Sequence, residues 1–196
     1  MKILGIDHAT VHGGLAVLVG DSEFACMDTI DLSEFEGMSP ERAMFDVTDT
    51  YIEIYHPNCV ALEKPMALRN GKIARMLIQV YTGAKLAAEL RDVPVVEVTP
   101  QEVKLYTAGH GQAEKEDVAR ALVAQFGIPM DKVAPPIYYK TGKKKGQLRD
   151  RLWDVSDSMA LAIAASRILH KRSLEAIPLG SMHFEVGGVN GHVSRT

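Results

Sequence analysis

At 196 residues the chain suits one domain whose core is large enough to fold unaided. Its 46% hydrophobic and 24% charged residues are ordinary for a soluble globular protein. No apolar run reaches the ~18–20 residues of a membrane span, and the opening MKILGID lacks a signal-peptide layout. The two cysteines, Cys26 and Cys59, show no CxxC and no Cys/His ligand spacing, which argues against a disulfide scaffold and a structural zinc site and for a reduced, cytoplasmic protein. The net charge of −3 hides an asymmetry: residues 1–63 hold 2 basic and 12 acidic side chains, the remainder 20 basic and 13 acidic. That segregation suits a carboxylate site beside a polyanion-binding surface, and also suits plain solvated faces.

In chain order, Lys2–Asp7 (KILGID), Gly14–Val19 (GLAVLV) and Glu23–Ile30 (EFACMDTI) read as three strands joined by tight turns, hence an antiparallel meander. Ser39-Pro40 starts a helix, with Ser as N-cap and Pro at N1, that runs to His56-Pro57. Cys59–Glu63 (CVALE) is a short apolar run, followed by a helical pattern over Lys72–Arg91. A buried-type strand is expected at Val93–Val98, then a short helix from Thr99-Pro100 and another over Ala113–Phe126 closed by Gly127. Pro129–Gln147 reads as irregular and Lys-rich, within a basic loop over 130–152, and Asp154–Lys171 as a final helix. We expect one nuclease-type domain over residues 1–172 and a Gly-containing, flexible tail over 173–196, with no internal repeat.

Three antiparallel strands followed by alternating helices and strands make an α/β protein with a five-stranded mixed sheet flanked by helices, the ribonuclease H-like order. Actin-like ATPase halves share that order, so the fold does not decide the function. Two strands end on an acid, Asp7 and Glu63, and neighbouring strand ends are where α/β sheets gather ligands. Asp154 and Asp157 lie three apart at the start of the last helix, on one face. Either suits a plain N-cap or helix-dipole partner, but one cap needs only one Asp, and a second on the same face repels the first unless a cation lies between them. Oxygen donors on this scaffold suit Mg²⁺ or Mn²⁺. Four carboxylates can hold two such ions ~3.5–4 Å apart, one activating water and one stabilising the leaving oxygen of a phosphodiester.

With these residues in place, the sequence resembles the RuvC-type Holliday junction resolvases along most of its length. Ile3–Asp7 (ILGID) is similar to that family's first catalytic strand, and Ala61–Pro65 (ALEKP) to its second. Asp154–Ala164 (DVSDSMALAIA) is similar to its closing D-x-x-D-A-L-A-x-A helix, and Val98–Val118 to the stretch bearing two DNA-contacting lysines. The resemblance implies catalytic metal ligands at Asp7, Glu63, Asp154 and Asp157, and DNA contacts at Lys104 and Lys115. It also implies a homodimer that nicks a four-way junction symmetrically with two Mg²⁺ (or Mn²⁺) ions per site, leaving 5′ phosphate and 3′ hydroxyl ends. Where the family often places an aromatic wedge after the second acid, Met66 stands here. Asp7 is followed by His8-Ala9-Thr10 rather than Pro and a small residue, and 130–152 is longer than the usual link, which suggests a divergent, phage-type member.

Further DNA contacts are expected at Arg69, Lys72 and Arg75 beside the wedge-like loop. Lys143, Lys144 and Lys145 join them in a stretch where six of twelve residues are basic and Tyr138-Tyr139 precede. His8 is a candidate assistant to the leaving group, or only a backbone partner. Lys72–Arg91 is the candidate dimer helix, or simply an internally packed one. The rival readings are a nuclease for flaps, other branched DNA or RNA–DNA hybrids, a non-catalytic junction binder, and an actin-like nucleotide-binding protein using Gly13-Gly14 as a phosphate hairpin. The last would need a second lobe.

Overall fold

The computed structural model describes residues 1–65 and 71–175. Strands β1 (Lys2–Asp7), β2 (His12–Val19) and β3 (Glu23–Asp31) form the expected antiparallel meander. β4 (Cys59–Glu63) lies parallel to β1, and β5 (Val95–Val98) parallel to β4, so the sheet order is β3-β2-β1-β4-β5. Between them come α1 (Pro40–Tyr55) and α2 (Gly71–Leu90), and after β5 come α3 (Pro100–Ala108) and α4 (Lys115–Phe126). The chain closes on α6 (Asp154–Glu175), which runs past the expected end at Lys171. None of the helices in the described residues is long and apolar enough to cross a membrane.

The period of two along each strand divides the core. Leu4, Ile6, Leu15, Val17, Val60 and Leu62 face α1 and α2, where Met44, Ile52 and Val80 meet them. Ile3, Ala16, Cys59 and Ala61 face the other way, toward α6, α3 and α4. Small residues dominate this second face at the centre of the sheet, and α6 answers with Ala160, Ala162, Ala164 and Ala165. A Cβ on Gly5 would fall well under 3.0 Å from the Ser158 carbonyl oxygen and 2.9 Å from the Ala162 nitrogen. A Cβ on Gly14 would strike the Asp154 carbonyl and reach within 3.0 Å of Ser158 Oγ. Two glycines thus let the last helix lie directly on β1 and β2. The space above Gly14 that a phosphate hairpin would keep open is filled by this protein's own helix, which removes the observation behind the actin-like reading.

Caps locate helices on both sides of the sheet. Ser39 accepts from Arg42 N (3.3 Å) with Pro40 at the first position of α1. Thr99 and Glu102 form a reciprocal capping box on α3 (Thr99 N donates to Glu102 Oε2 at 2.8 Å), and Asp117 accepts from Glu114 N (3.0 Å) at the start of α4. With Glu114 as its N-cap, α4 begins at Lys115, two residues later than expected, and Ala113 is a fully buried core residue just before it. β5 begins after Pro94, whose ring leaves no N–H to pair.

One expectation is overturned. Residues 130–152 are not an irregular loop: they contain a helical turn, α5 (Met130–Val133), and a two-stranded antiparallel ribbon, β6 (Pro136–Tyr138) with β7 (Leu148–Arg151). Val133 and Ala134 are fully buried and root the excursion in the α6-side core.

Candidate active site

Strand parity decides where the first two acids point. Asp7 follows Ile3 and Gly5 on the α6 face of β1, and Glu63 follows Cys59 and Ala61 on the same face of β4. β1 and β4 pair in register with Ile6 opposite Leu62, so both acids stand level at the carboxyl ends of adjacent parallel strands. α6 crosses above them with Asp154 and Asp157 in its first turn. The four acids line one open cleft of about 460 Å³, together with Lys104 of α3 and Lys115 of α4.

Electrostatics register this convergence. Burial pushes the Asp7 carboxyl up to about 8, and Asp157, Asp154 and Glu63 add to the rise against the opposing pull of Lys115. Glu63 is raised by burial and by Asp157, and Asp157 by burial, with Lys115 countering in both. Lys115 Nζ donates to Asp157 Oδ2 at 2.5 Å. Burial works against that ammonium, but Asp157, Asp7 and Asp154 outweigh it and hold its pKa above the ordinary lysine value. Among the described residues no three acidic, histidine or cysteine side chains close into a finished metal cage. The acids are all hard oxygen donors, more numerous than one ammonium neutralises, and Asp7, raised by burial first and by its acidic neighbours second, is a carboxyl whose charged form a divalent cation would favour. The donor set fits such an ion.

His8 follows Asp7 into the cleft wall. Its ring lies 5.5 Å from that of Tyr81, tilted by 56°, and its Nδ1 is buried without a hydrogen-bond partner. Burial lowers its pKa to about 4, so it is neutral at pH 7. Tyr81 in turn donates to Glu97, which also accepts from Lys85 Nζ (3.4 Å). Sequence reasoning missed this His8–Tyr81–Glu97–Lys85 chain; the helical pattern marked Tyr81 as core and gave no hint of its polar end.

The DNA-contact residues expected from the sequence separate into groups. Lys104 and Lys115 line the cleft itself, and Lys115 holds an acid there. Lys72 and Arg75 are exposed in the first turns of α2, beside Ala74 and Leu77, which form the neighbouring wall near Asp7 and Glu63. Lys143, Lys144 and Lys145 sit at the tip of the β6–β7 ribbon, away from the cleft lining. Met66 and Arg69 lie outside the described residues.

Acids at the ends of two adjacent parallel strands, completed by a helix laid across the sheet, define a metal-dependent nuclease of the ribonuclease H-like fold. The family model of crossover junction endodeoxyribonuclease RuvC matches residues 3–135, and the chain belongs to that family. A crossover junction endodeoxyribonuclease RuvC of Christiangramia forsetii is 32% identical over 130 residues, 64% of this chain and 68% of that protein. That of Pelobacter propionicus is 29% identical over 186 residues, 91% of this chain and 94% of its own. Among solved structures, Thermus thermophilus RuvC in complex with a Holliday junction substrate superposes with a TM-score of 0.70 at 21% identity, covering 88% of this chain and 97% of that one. The yeast mitochondrial Holliday junction resolvase Ydc2 superposes at 0.57 and 15% identity, over 88% and 82%. Both share the fold. The family match ends at Pro135, at the foot of the ribbon, so Asp154 and Asp157 fall beyond it.

Proposed function

We propose that this protein resolves four-way DNA junctions by paired, symmetric nicks that leave 5′ phosphate and 3′ hydroxyl ends. The observation that carries the reading is the convergence of Asp7, Glu63, Asp154 and Asp157, from three elements, on one open cleft flanked by Lys104 and Lys115. These four carboxylates would hold two Mg²⁺ ions, with Mn²⁺ as a substitute. Bound there, the ions would activate the attacking water and stabilise the leaving 3′ oxygen. The chain's own contribution is placement. The sheet fixes Asp7 and Glu63, the glycine-backed seat of α6 fixes Asp154 and Asp157, and Lys104 and Lys115 draw the scissile phosphate in. Lys115, held on Asp157, would also offer its ammonium to a DNA phosphate in the cleft. His8 is neutral and packed on Tyr81, which supports a wall-forming role over proton transfer. Met66 and Arg69 remain proposed contacts at the junction centre, with Lys72 and Arg75 on its approach.

Paired nicks need two sites, and we propose a homodimer through the outer face of α2. The inner face of that helix packs on α1 and the sheet. Ile78, Leu86 and Leu90 are exposed and, with Phe45 and Thr82, line a groove of about 550 Å³ between α1 and α2. We propose a reducing, cytoplasmic setting, a reading that the free Cys26 and Cys59 support. The test is cleavage of a labelled four-way junction, a flap and a plain duplex in Mg²⁺, Mn²⁺ or EDTA. Symmetric nicks on the junction alone, abolished by EDTA and by Asp7→Asn with binding retained, are expected. Preferential cutting of flaps would replace the substrate, and absence of cleavage in every metal would overturn the reading.

A further inference from the structure

The ribbon that replaces the expected loop has a function of its own to explain. Its root is fixed: Leu152 N donates to the Pro135 carbonyl (2.8 Å), and Arg151 donates to Asp131 Oδ1 (2.8 Å) and to the Ala134 carbonyl (2.7 Å). β7 ends at Arg151, and only Leu152 and Trp153 separate it from Asp154 at the start of α6, so the ribbon and the helix that carries Asp154 and Asp157 share one anchor. Its tip is a defined turn. Gly146 N donates to Tyr139 O (2.9 Å), Lys145 N to Gly142 O (3.1 Å) and Gln147 N to Lys144 O (2.9 Å). Gly142 and Gly146 take φ of 78° and 80°, left-handed values that bracket Lys143–Lys145 within the turn.

The charge of this tip is uncompensated. Every residue from 141 to 150 is exposed, and Lys140, Lys143, Lys144, Lys145 and Arg149 have no ion-pair partner among the described residues. The one acid, Asp150, accepts from the Arg151 backbone N–H (2.8 Å) instead. Lys144 lies 5.6 Å over the Tyr139 ring, which fixes one ammonium without neutralising it. A cluster of like charges on a rigid turn is relieved by a polyanion. Lysine ammoniums meet phosphate as point charges and do not read base edges as a planar fork would. The strands reach on the order of 15 Å from the root, about four to five base pairs of duplex.

We propose that the β6–β7 ribbon is a phosphate clamp on a duplex arm of the DNA substrate, a second contact a few base pairs from the scissile phosphate and separate from the catalytic cleft. The inference rests on the nuclease reading above and adds which part of the substrate this element holds. The experiment uses the full chain carrying Lys143→Gln, Lys144→Gln and Lys145→Gln, surface changes that leave the root intact. Binding to a four-way junction is measured across salt in EDTA, with hydroxyl-radical footprinting, beside cleavage at saturating DNA. The expected result is at least tenfold weaker binding, a log–log salt slope smaller by up to about 2.7, and loss of protection on one arm away from the cut. Cleavage at saturating DNA stays within twofold of wild type, and the triple Lys→Arg variant restores the slope. An unchanged slope and footprint would overturn the clamp, as would loss of cleavage at saturation with binding intact. Failure of the wild-type protein to cleave while the ribbon variant still loses affinity would overturn the nuclease reading and leave the clamp standing.

Discussion

Adding one methyl group beneath α6 tests whether its seat on the sheet sets the active-site geometry. In Gly5→Ala the new Cβ would stand 2.9 Å from Ala162 N and closer still to the Ser158 carbonyl oxygen, where ordinary contact begins at 3.4 Å. Both obstacles are backbone, so no side-chain rotation relieves the clash and the helix itself retreats, by roughly 1 Å. Overpacking of this kind costs about 1–3 kcal/mol, which for a chain of this length lowers Tm by roughly 2–12 °C. Asp154 and Asp157 ride on the displaced helix while Asp7 and Glu63 stay on the strands. A misplacement of about 1 Å lowers the rate by on the order of 10²-fold. Gly14→Ala strikes the Asp154 carbonyl itself and should do at least as much. Gly111→Ala, whose Cβ meets only Gln101 O at 3.7 Å, is the control and should be silent in both assays. Thermal melts and single-turnover cleavage at saturating junction report the two effects. A Gly5→Ala protein with wild-type cleavage would refute the coupling of helix seat to acid geometry, whatever its Tm.

The remaining expectations concern charge and assembly. Because the folded Asp7 carboxyl sits near 8 against an ordinary 3.8, it is protonated in both states below about pH 4. Between pH 4 and 8 only the unfolded chain loses the proton, so this group increasingly favours unfolding, and the penalty levels off above 8. Asp7→Asn, always neutral, should therefore melt above wild type in EDTA by a margin that grows from pH 4 to 8; a margin independent of pH would refute the assignment. Mg²⁺ at a hundred times its Kd should stabilise wild type by about 2.7 kcal/mol and leave Asp7→Asn nearly unmoved in thermal melts. Lys104→Ala with Lys115→Ala should lower the log–log salt slope of junction binding by up to about 2, and an unchanged slope would remove both from the DNA surface. Ile78→Glu with Leu86→Glu puts charge on the outer face of α2. Sedimentation should then show a monomer, and paired nicking should decay into unlinked single nicks; a dimer that persists would place the interface elsewhere.

The four acids of the cleft were legible because each follows from a short-range rule. Asp7 and Glu63 end apolar runs whose alternation assigns them to one sheet face, and Asp154 and Asp157 share a helix face by their spacing of three. The partner of Lys115 was not legible, since Asp157 lies 42 residues away and the two meet only because α4 packs beside α6. The ribbon escaped for a different reason. Its strands are three and four residues long, all but free of buried side chains, so no hydrophobic period exists to betray them. Only the two tip glycines and the prolines at its foot hint at a turn on a fixed stem.

The two halves of this molecule are under opposite demands, and α6 reconciles them. The acidic strands must bury a carboxyl and bring like charges to it, and burial first, then Asp157, Asp154 and Glu63, raise Asp7. The basic segments must deliver a polyanion to that place without neutralising it outright. Stacking α6 on glycine and alanine puts its acids directly over the strand ends, while the ribbon that enters it carries its lysines outward from the same anchor at Arg151. Lys115, which lines the cleft together with Lys104, is held on Asp157 where it offsets part of the repulsion. Small residues under a helix, rather than any single acid, are therefore what lets an acidic cleft and a basic DNA surface occupy one compact sheet.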